Sequence, residues 1–325
     1  MKIFSAEQIK AIDEFTISNE PITSIDLMER AAMACIKRIL KLVGMDEEII
    51  IFCGKGNNGG DGLAITRLLL ERGFNTRAFV INYTDKFSQD AEINFTKLME
   101  TYSAKVSEIN SLADLKEKIV HKNYVVIDAL LGSGTNRALE GLLKDTVIFI
   151  NANFQKIISI DIPSGLLPDE SSKDLETIIH STLTLTFQFP KLAFLVPENK
   201  NYVPEFEVLD IGLSTQAIQE QFTNYYYITK QEIASFLKPR NKFSHKGNYG
   251  HALLLAGSKG KSGAAIISSK ACLRSGAGLL TLHSNKSTID ALLNHLPEAM
   301  SIEDTNEEFI SEIEKPENYD AIGFG

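Results

Sequence analysis

Cysteine is scarce in this chain: Cys35, Cys53 and Cys272 are the three among 325 residues, odd in number and far apart. That argues against a disulfide frame or a cysteine-built zinc site and fits reduced thiols in a cytoplasmic protein. Basic charge is also short. The 33 Lys and Arg against 42 Asp and Glu leave a net charge of -9, with no Lys/Arg-rich block. A nucleic-acid partner is therefore not expected, although a local basic pocket for phosphates stays open. No apolar run approaches the roughly 20 residues of a membrane-spanning helix, so no membrane partner is expected either. The six histidines show no metal-ligand spacing. With 44% hydrophobic residues the chain shows no sign of disorder, collagen or coiled coil, and it is long enough for one large or two ordinary domains.

What is present alternates. "MKIFSAEQIKAIDEF" reads as an amphipathic helix in which Ser5 and Gln8 form a capping box. The spacing predicts helices over 5–19 and 24–42, then apolar strands near 47–52, 76–82, 124–130 and 156–162, with further strands in "STLTLTF" and "FEVLDIG". Helical patterns such as "SQDAEINFTKLMET" and "SLADLKEKIV" fall between them. Nearly continuous apolar strands separated by helices imply an α/β fold with a mostly parallel sheet covered on both faces. The pattern slackens around 212–245, which predicts a first domain over 1–220 and a second over 221–325. The second stops at "NYDAIGFG", a strand entering a Gly-rich turn, so it is expected to be the first part of a longer domain.

In an open parallel sheet, ligands collect outside the carboxyl ends of the strands. Three predicted strands end there in unusual loops. The first is "CGKGNNGGDG", whose Gly54, Gly56 and Gly59 satisfy the G-x-G-x-x-G template. Its glycines allow positive φ and close backbone approach, with a helix starting near Asp61 and Asn57 and Asn58 offering amide groups; Asp61 otherwise only caps that helix. A nicotinamide-dependent oxidoreductase would also carry an acid at the end of the second strand to hold the ribose. Here that strand ends near Asn82, and Asp85 comes too late. The second loop, "DALLGSGTNR", sets Asp128 before Gly132, Ser133, Gly134, Thr135, Asn136 and Arg137, a group able to wrap a diphosphate. The third, "DIPSG", sets Asp161 at the mouth with Ser164 beside it; Asp161 can move protons or simply cap the turn. Asn58, Asp128 and Ser164 offer only hard oxygen donors, suited to an alkali or alkaline-earth cation. Lys191, in "FQFPKLAF", follows an apolar strand and is a candidate site residue on that ground, although an ordinary solvated lysine is the expectation.

These three motifs, in this order, resemble the N-terminal NAD(P)H-hydrate epimerase domain over roughly residues 1–215. The downstream "FSHKGNYGHALLLAGSKGKSGAAIISSKACLRSGAGLLT" is similar to the start of the ADP/ATP-dependent NAD(P)H-hydrate dehydratase domain. The resemblance implies a three-layer Rossmann-like domain followed by a partial ribokinase-like one, in a bifunctional nicotinamide-nucleotide repair enzyme. It implies hydrated NADH or NADPH as the small-molecule substrate, held by Asn57, Asn58, Gly59, Gly60 and Asp61, by Gly132 through Ala138 and by Asp161, with Asp161 transferring protons. It further implies K+ at Asn58, Asp128 and Ser164, ADP or ATP with Mg2+ in the dehydratase domain, and Ala264 at that domain's hydrate pocket. A homo-oligomer is expected. Either loss and return of the ring hydroxyl through an iminium-like carbon, or ring opening and closure, would invert the centre. "GSKGKS" at 257–262 falls short of a Walker motif because Leu255 stands where the first Gly belongs. A conventional NAD-dependent oxidoreductase and a non-catalytic nucleotide-binding scaffold are the alternatives.

Overall fold

The computed structural model describes residues 1–119, 123–134, 138–171, 177–237, 239–313 and 316–325. They divide into two compact units, Met1–Glu232 and Ile233–Gly325. The first begins with α1 (Ala6–Asn19) and α2 (Ser24–Ile39). Alternation follows: β1 (Glu48–Cys53), α3 (Asn57–Glu71), β2 (Thr76–Ile81), α4 (Gln89–Tyr102), β3 (Val106–Ile109), α5 (Leu112–Lys118), β4 (Tyr124–Ala129), α6 (Gly141–Asn153), β5 (Ile157–Ile160), β6 (Leu183–Phe187), β7 (Phe206–Leu209) and α7 (Thr215–Glu220).

The seven strands form one parallel sheet in the order β3-β2-β1-β4-β5-β6-β7. Its register sets Ile51 between Ala78 of β2 and Ile127 of β4. Successive β1 residues serve opposite faces, as the two-residue period of a strand demands. Ile49, Ile51 and Cys53 join the core under α2, α3 and α4. Ile50 and Phe52 join the core under α5 and α6. Each buried Ile contributes roughly 1.5–3 kcal/mol, so a strand apolar on both faces pins the sheet between two helical layers. The α/β architecture expected from the alternation is borne out, as is the Ser5–Gln8 capping box.

α1 carries a narrower apolar stripe. Ile9 and Ile12, with Phe4 before the helix, pack with Ile211, Leu213 and Ala217 near the β7 end of the sheet. The chain beyond 220 is tied to the same place. Lys2 pairs with Tyr226 as an antiparallel bridge, and Thr223 Oγ1 donates to the Ile3 carbonyl at 2.7 Å. These bonds carry the first unit past the boundary expected near 220, to Glu232.

A short helix, α8 (Lys230–Phe236), leads the chain into the second unit. There β8 (His251–Leu255), α9 (Ser262–Arg274), β9 (Leu279–Ser284), α10 (Lys286–His295), β10 (Met300–Glu303) and β11 (Ala321–Phe324) follow. Their strands form a parallel sheet in the order β10-β9-β8-β11.

Candidate active site

In the first unit the strand order reverses between β1 and β4, and the crevice outside their carboxyl ends is where open α/β sheets bind ligands. All three loops singled out in the sequence leave the sheet at this edge, after β1, β4 and β5. The first corrects the expectation of a long Gly-rich turn. α3 starts at Asn57, so the Gly-Gly-Asp-Gly run is helix rather than loop, with Gly56 as its N-cap. None of Gly54, Gly56, Gly59 or Gly60 takes a positive φ. The helix instead needs room: a Cβ on Gly59 would lie 1.9 Å from the Gly54 carbonyl oxygen, and one on Gly54 equally close to that of Leu130. Missing side chains let α3 lie directly on the strand ends. This sets the unpaired N–H groups of its first turn at the switch point. The acid that a dinucleotide-binding dehydrogenase needs at the end of β2 is replaced by Asn82, whose amide donates to Asn110 Oδ1 at 2.8 Å and Glu108 Oε2 at 3.2 Å.

Behind this edge Asp128 is fully buried on β4. Its Oδ1 accepts from Ser164 Oγ at 2.5 Å, and its Oδ2 accepts from Ser164 N at 2.9 Å and Ser159 Oγ at 2.8 Å. Burial raises the Asp128 pKa, and the Ser164, Ser159 and Leu130 donors work against that rise. Ser164 Oγ in turn accepts the Leu131 N–H at 2.9 Å, and the Leu131 carbonyl accepts from Asn58 Nδ2 at 2.8 Å. Asn58, Asp128 and Ser164 are thus brought together through Leu131. Asn58 Oδ1 is buried with no hydrogen-bond partner. Among the described residues no group of three or more His, Cys, Asp and Glu could hold a metal ion.

In front lies a cavity of about 470 Å3 lined by Asn57, Asn58, Asp61, Gly132, Ser133, Gly134 and Asp161, with Ile9, Lys10 and Asp13 added by α1. Asp161 follows β5 directly and sits in the left-handed region with φ 64°. A residue other than glycine held there commonly marks a functional position. Its Oδ1 accepts from Lys191 Nζ at 2.5 Å, and Lys191 also donates to Thr186 Oγ1 at 2.7 Å. Lys191 is 1% exposed. The expectation of a solvated lysine is therefore corrected: the turn after β6 folds it inward, where its ammonium is the counter-charge to Asp161. Asp61 and Asp13 crowd the same charge. Burial, then the charges of Asp161, Asp13 and Asp90, push the Asp61 pKa well above the carboxylate range. Burial first, then Asp161, raise that of Asp13 to about 7, partly offset by Lys191.

Gly59 and Gly60 belong to the packing rather than the cavity wall, Gly60 lying against Met28 and Ala91. Ala138 lines a second hollow of about 720 Å3 with Asn82 and Tyr83. Thr135, Asn136 and Arg137 lie outside the described residues. Ala264 stands exposed on the first turn of α9 in the second unit. Asp13 escaped the sequence reading. Its signal was a carboxylate four residues after Ile9 and three before Thr16, both buried, on the inward stripe of α1.

Sheet order and site define a doubly wound, Rossmann-like α/β protein whose cavity at the switch point holds a lysine-paired carboxylate. The description "YjeF-related protein N-terminus" matches residues 24–193, and "NAD(P)H-hydrate dehydratase" matches 252–325. The chain belongs to the YjeF-related N-terminal family. It is 34% identical to an NAD(P)H-hydrate epimerase of Anaerococcus prevotii over 67% of this chain and 99% of that protein. It is 32% identical to a bifunctional NAD(P)H-hydrate repair enzyme Nnr of Moorella thermoacetica over 86% of its own length, spanning 54% of that relative's. A yeast crystal structure covering 71% of this chain and 98% of its own shares the fold, with TM-score 0.55 at 20% identity. The resemblance drawn from the three motifs is borne out. No helix among the described residues is long and apolar enough to cross a membrane.

Proposed function

We propose that the first unit binds hydrated NADH or NADPH and interconverts its R and S epimers. We assign the second unit to the ADP- or ATP-dependent dehydration of the S form in the whole protein, with Mg2+ accompanying the nucleotide and Ala264 beside the hydrate, and the reaction to the cytoplasm. One observation carries the reading: Asn57, Asn58, Asp61, Gly132 to Gly134 and the Lys191-paired Asp161 line a single cavity at the switch point. The hydrated ring carbon bears a hydroxyl beside nitrogen. The nitrogen lone pair expels it as water once it is protonated, and water returning to the other face inverts the centre. Amide groups and the α3 N-terminus hold the nucleotide, the walls limit its motion, and Asp161 exchanges the proton at the ring. No hydride moves, so Asn82 in place of a ribose-binding acid is no obstacle.

K+ fits the residues behind the cavity. Asn58 Oδ1 is a buried acceptor without a partner, and Asp128 and Ser164 add hard oxygens and a compensating charge. K+ would there supply fixed positive charge beside the bound nucleotide. Asn58, Asp128 and Ser164 would hold it, while Asn57, Asp61 and Asp161 face the substrate.

Two expected results test this. Pure R-hydrate of NADH, followed by chromatography, reaches the R/S mixture faster with the protein than without. Asp161→Ala removes that acceleration, a loss of about a hundredfold or more, while circular dichroism stays that of the parent. A variant that keeps the parent rate removes Asp161 from the reaction. Replacing K+ with tetramethylammonium lowers both the melting temperature and the rate, because an ion bound to the native state stabilises it. Indifference of both measures eliminates the ion site.

A further inference from the structure

We propose that Asp13 of α1 is the second proton-transferring residue of this cavity, acting at the hemiaminal carbon on the face that the Lys191-paired Asp161 does not serve. The inference rests on the epimerase reading above.

Inversion needs two proton transfers on opposite faces of one carbon. On one face the C–O bond breaks as the nitrogen lone pair forms C=N, and an acid gives its proton to the departing hydroxyl, releasing water. On the other face a water oxygen bonds to the carbon, the C=N electrons return to nitrogen, and the proton of that water passes to a carboxylate. A single carboxyl fixed in the wall cannot reach both faces. Asp161, ion-paired with Lys191 at 2.5 Å, takes the accepting role in this direction and returns the proton in the reverse one. The donor must come from another element.

α1 supplies it. Ile12 and Thr16 are fully buried and anchor the helix, and Asp13 between them opens onto the cavity that Asp161 also lines. Asp13 also lines an adjoining hollow of about 280 Å3 with Asp61. The charged groups facing Asp13 are Lys10 and Glu14 on its own helix, Asp61, Asp90, Asp161 and Lys191. Asp61 is the rival donor and is the weaker one. It is 8% exposed and packed into the start of α3, and burial raises its pKa, whereas Asp13 is half-buried and opens onto the cavity from α1. Asp13, raised to about 7, exchanges its proton in either direction near neutral pH, where a general acid–base group is most effective. Asp13 and Asp161 are thus a carboxyl pair whose surroundings set one as acid and one as base.

The experiment follows R-hydrate epimerisation by the full chain from pH 5 to 9. The parent rate is expected to fall above about pH 7 as Asp13 loses its proton. Asp13→Asn is expected to lower kcat about a hundredfold or more with little change in KM, and to abolish that alkaline limb; Asp13→Glu restores the limb. If Asp13→Asn keeps the parent kcat and pH profile while the parent is active, Asp13 has no part in proton transfer. If the parent chain does not epimerise the hydrate, the epimerase reading falls and takes this inference with it. Should Asp13→Asn fail to fold, carbon NMR titration of the Asp13 carboxyl in the parent decides: a midpoint near 4 overturns the proposal, and one near 7 upholds it.

Discussion

Lys191→Met is expected to abolish epimerisation and to destabilise the first unit by about 3–5 kcal/mol near neutral pH, the usual cost of breaking a buried ion pair from one side. Lys191 is 1% exposed and its partner Asp161 is buried at 8% exposure, with Asp13 and Asp61 as further carboxyls on the same cavity. Without the ammonium, an uncompensated charge stays in a wall that already pushes the protons of Asp13 and Asp61 upward. The sign with pH follows from linkage. The variant's native state gains by taking up a proton, so its deficit against the parent shrinks as pH is lowered and grows as pH is raised. Urea unfolding at pH 5 and pH 8 measures this directly. Removing both partners, as Lys191→Met with Asp161→Asn, is expected to recover most of the stability and none of the rate, because no charge is then left without a partner. A single variant as stable as the parent at pH 8 would mean that Lys191 and Asp161 are not coupled. A double variant as active as the parent would mean that neither takes part in the reaction.

Why the pair had to be found in the structure is a matter of sequence distance. Lys191 and Asp161 stand 30 residues apart, and nothing local to "FQFPKLAF" marks a lysine that turns inward. The parts that local pattern does encode were readable. The apolar runs became β1, β2, β4, β5 and β6, and three strand-end loops predicted to share an edge do share one. β3 was invisible for the opposite reason: of Val106–Ile109 only Ile109 is buried, so this edge strand has no apolar run to betray it. Asp13 lay hidden because a single acid on an amphipathic helix reads as solvated until α1 is seen against the sheet edge. Asp61 was misplaced at a helix start because glycine normally interrupts helices. Here close packing overrode that preference.

That override leads to the other large expected effect. Gly59→Ala should raise stability by about 1 kcal/mol if helix propensity decided the outcome, since Gly59 lies inside α3 without a positive φ. The opposite is expected: a loss of about 3 kcal/mol or more, with the first unit poorly folded. The added Cβ would sit 1.9 Å from the oxygen, 2.4 Å from the carbon and 2.9 Å from the nitrogen of Gly54. All three are backbone atoms at the end of β1, so no side chain can swing aside, and overpacking of this kind commonly outweighs a propensity gain. Two neighbours calibrate the test. At Gly60 the nearest atom is the Met28 sulfur at 2.8 Å, on a flexible side chain, so Gly60→Ala should cost less. At Gly56 nothing lies within 4 Å, so Gly56→Ala should stay within about 1 kcal/mol, the scale of an N-cap change. Chemical denaturation of the three variants should rank them Gly59, Gly60, Gly56. A Gly59→Ala protein as stable as its parent would show that α3 can lift from the strand ends at no cost. Because Asn57, Asn58 and Asp61 ride on that first turn and a half, any Gly59→Ala protein that does fold should bind hydrated NADH more weakly. Its glycines serve the cavity by bringing helix and sheet close enough for those three side chains to meet Asp161.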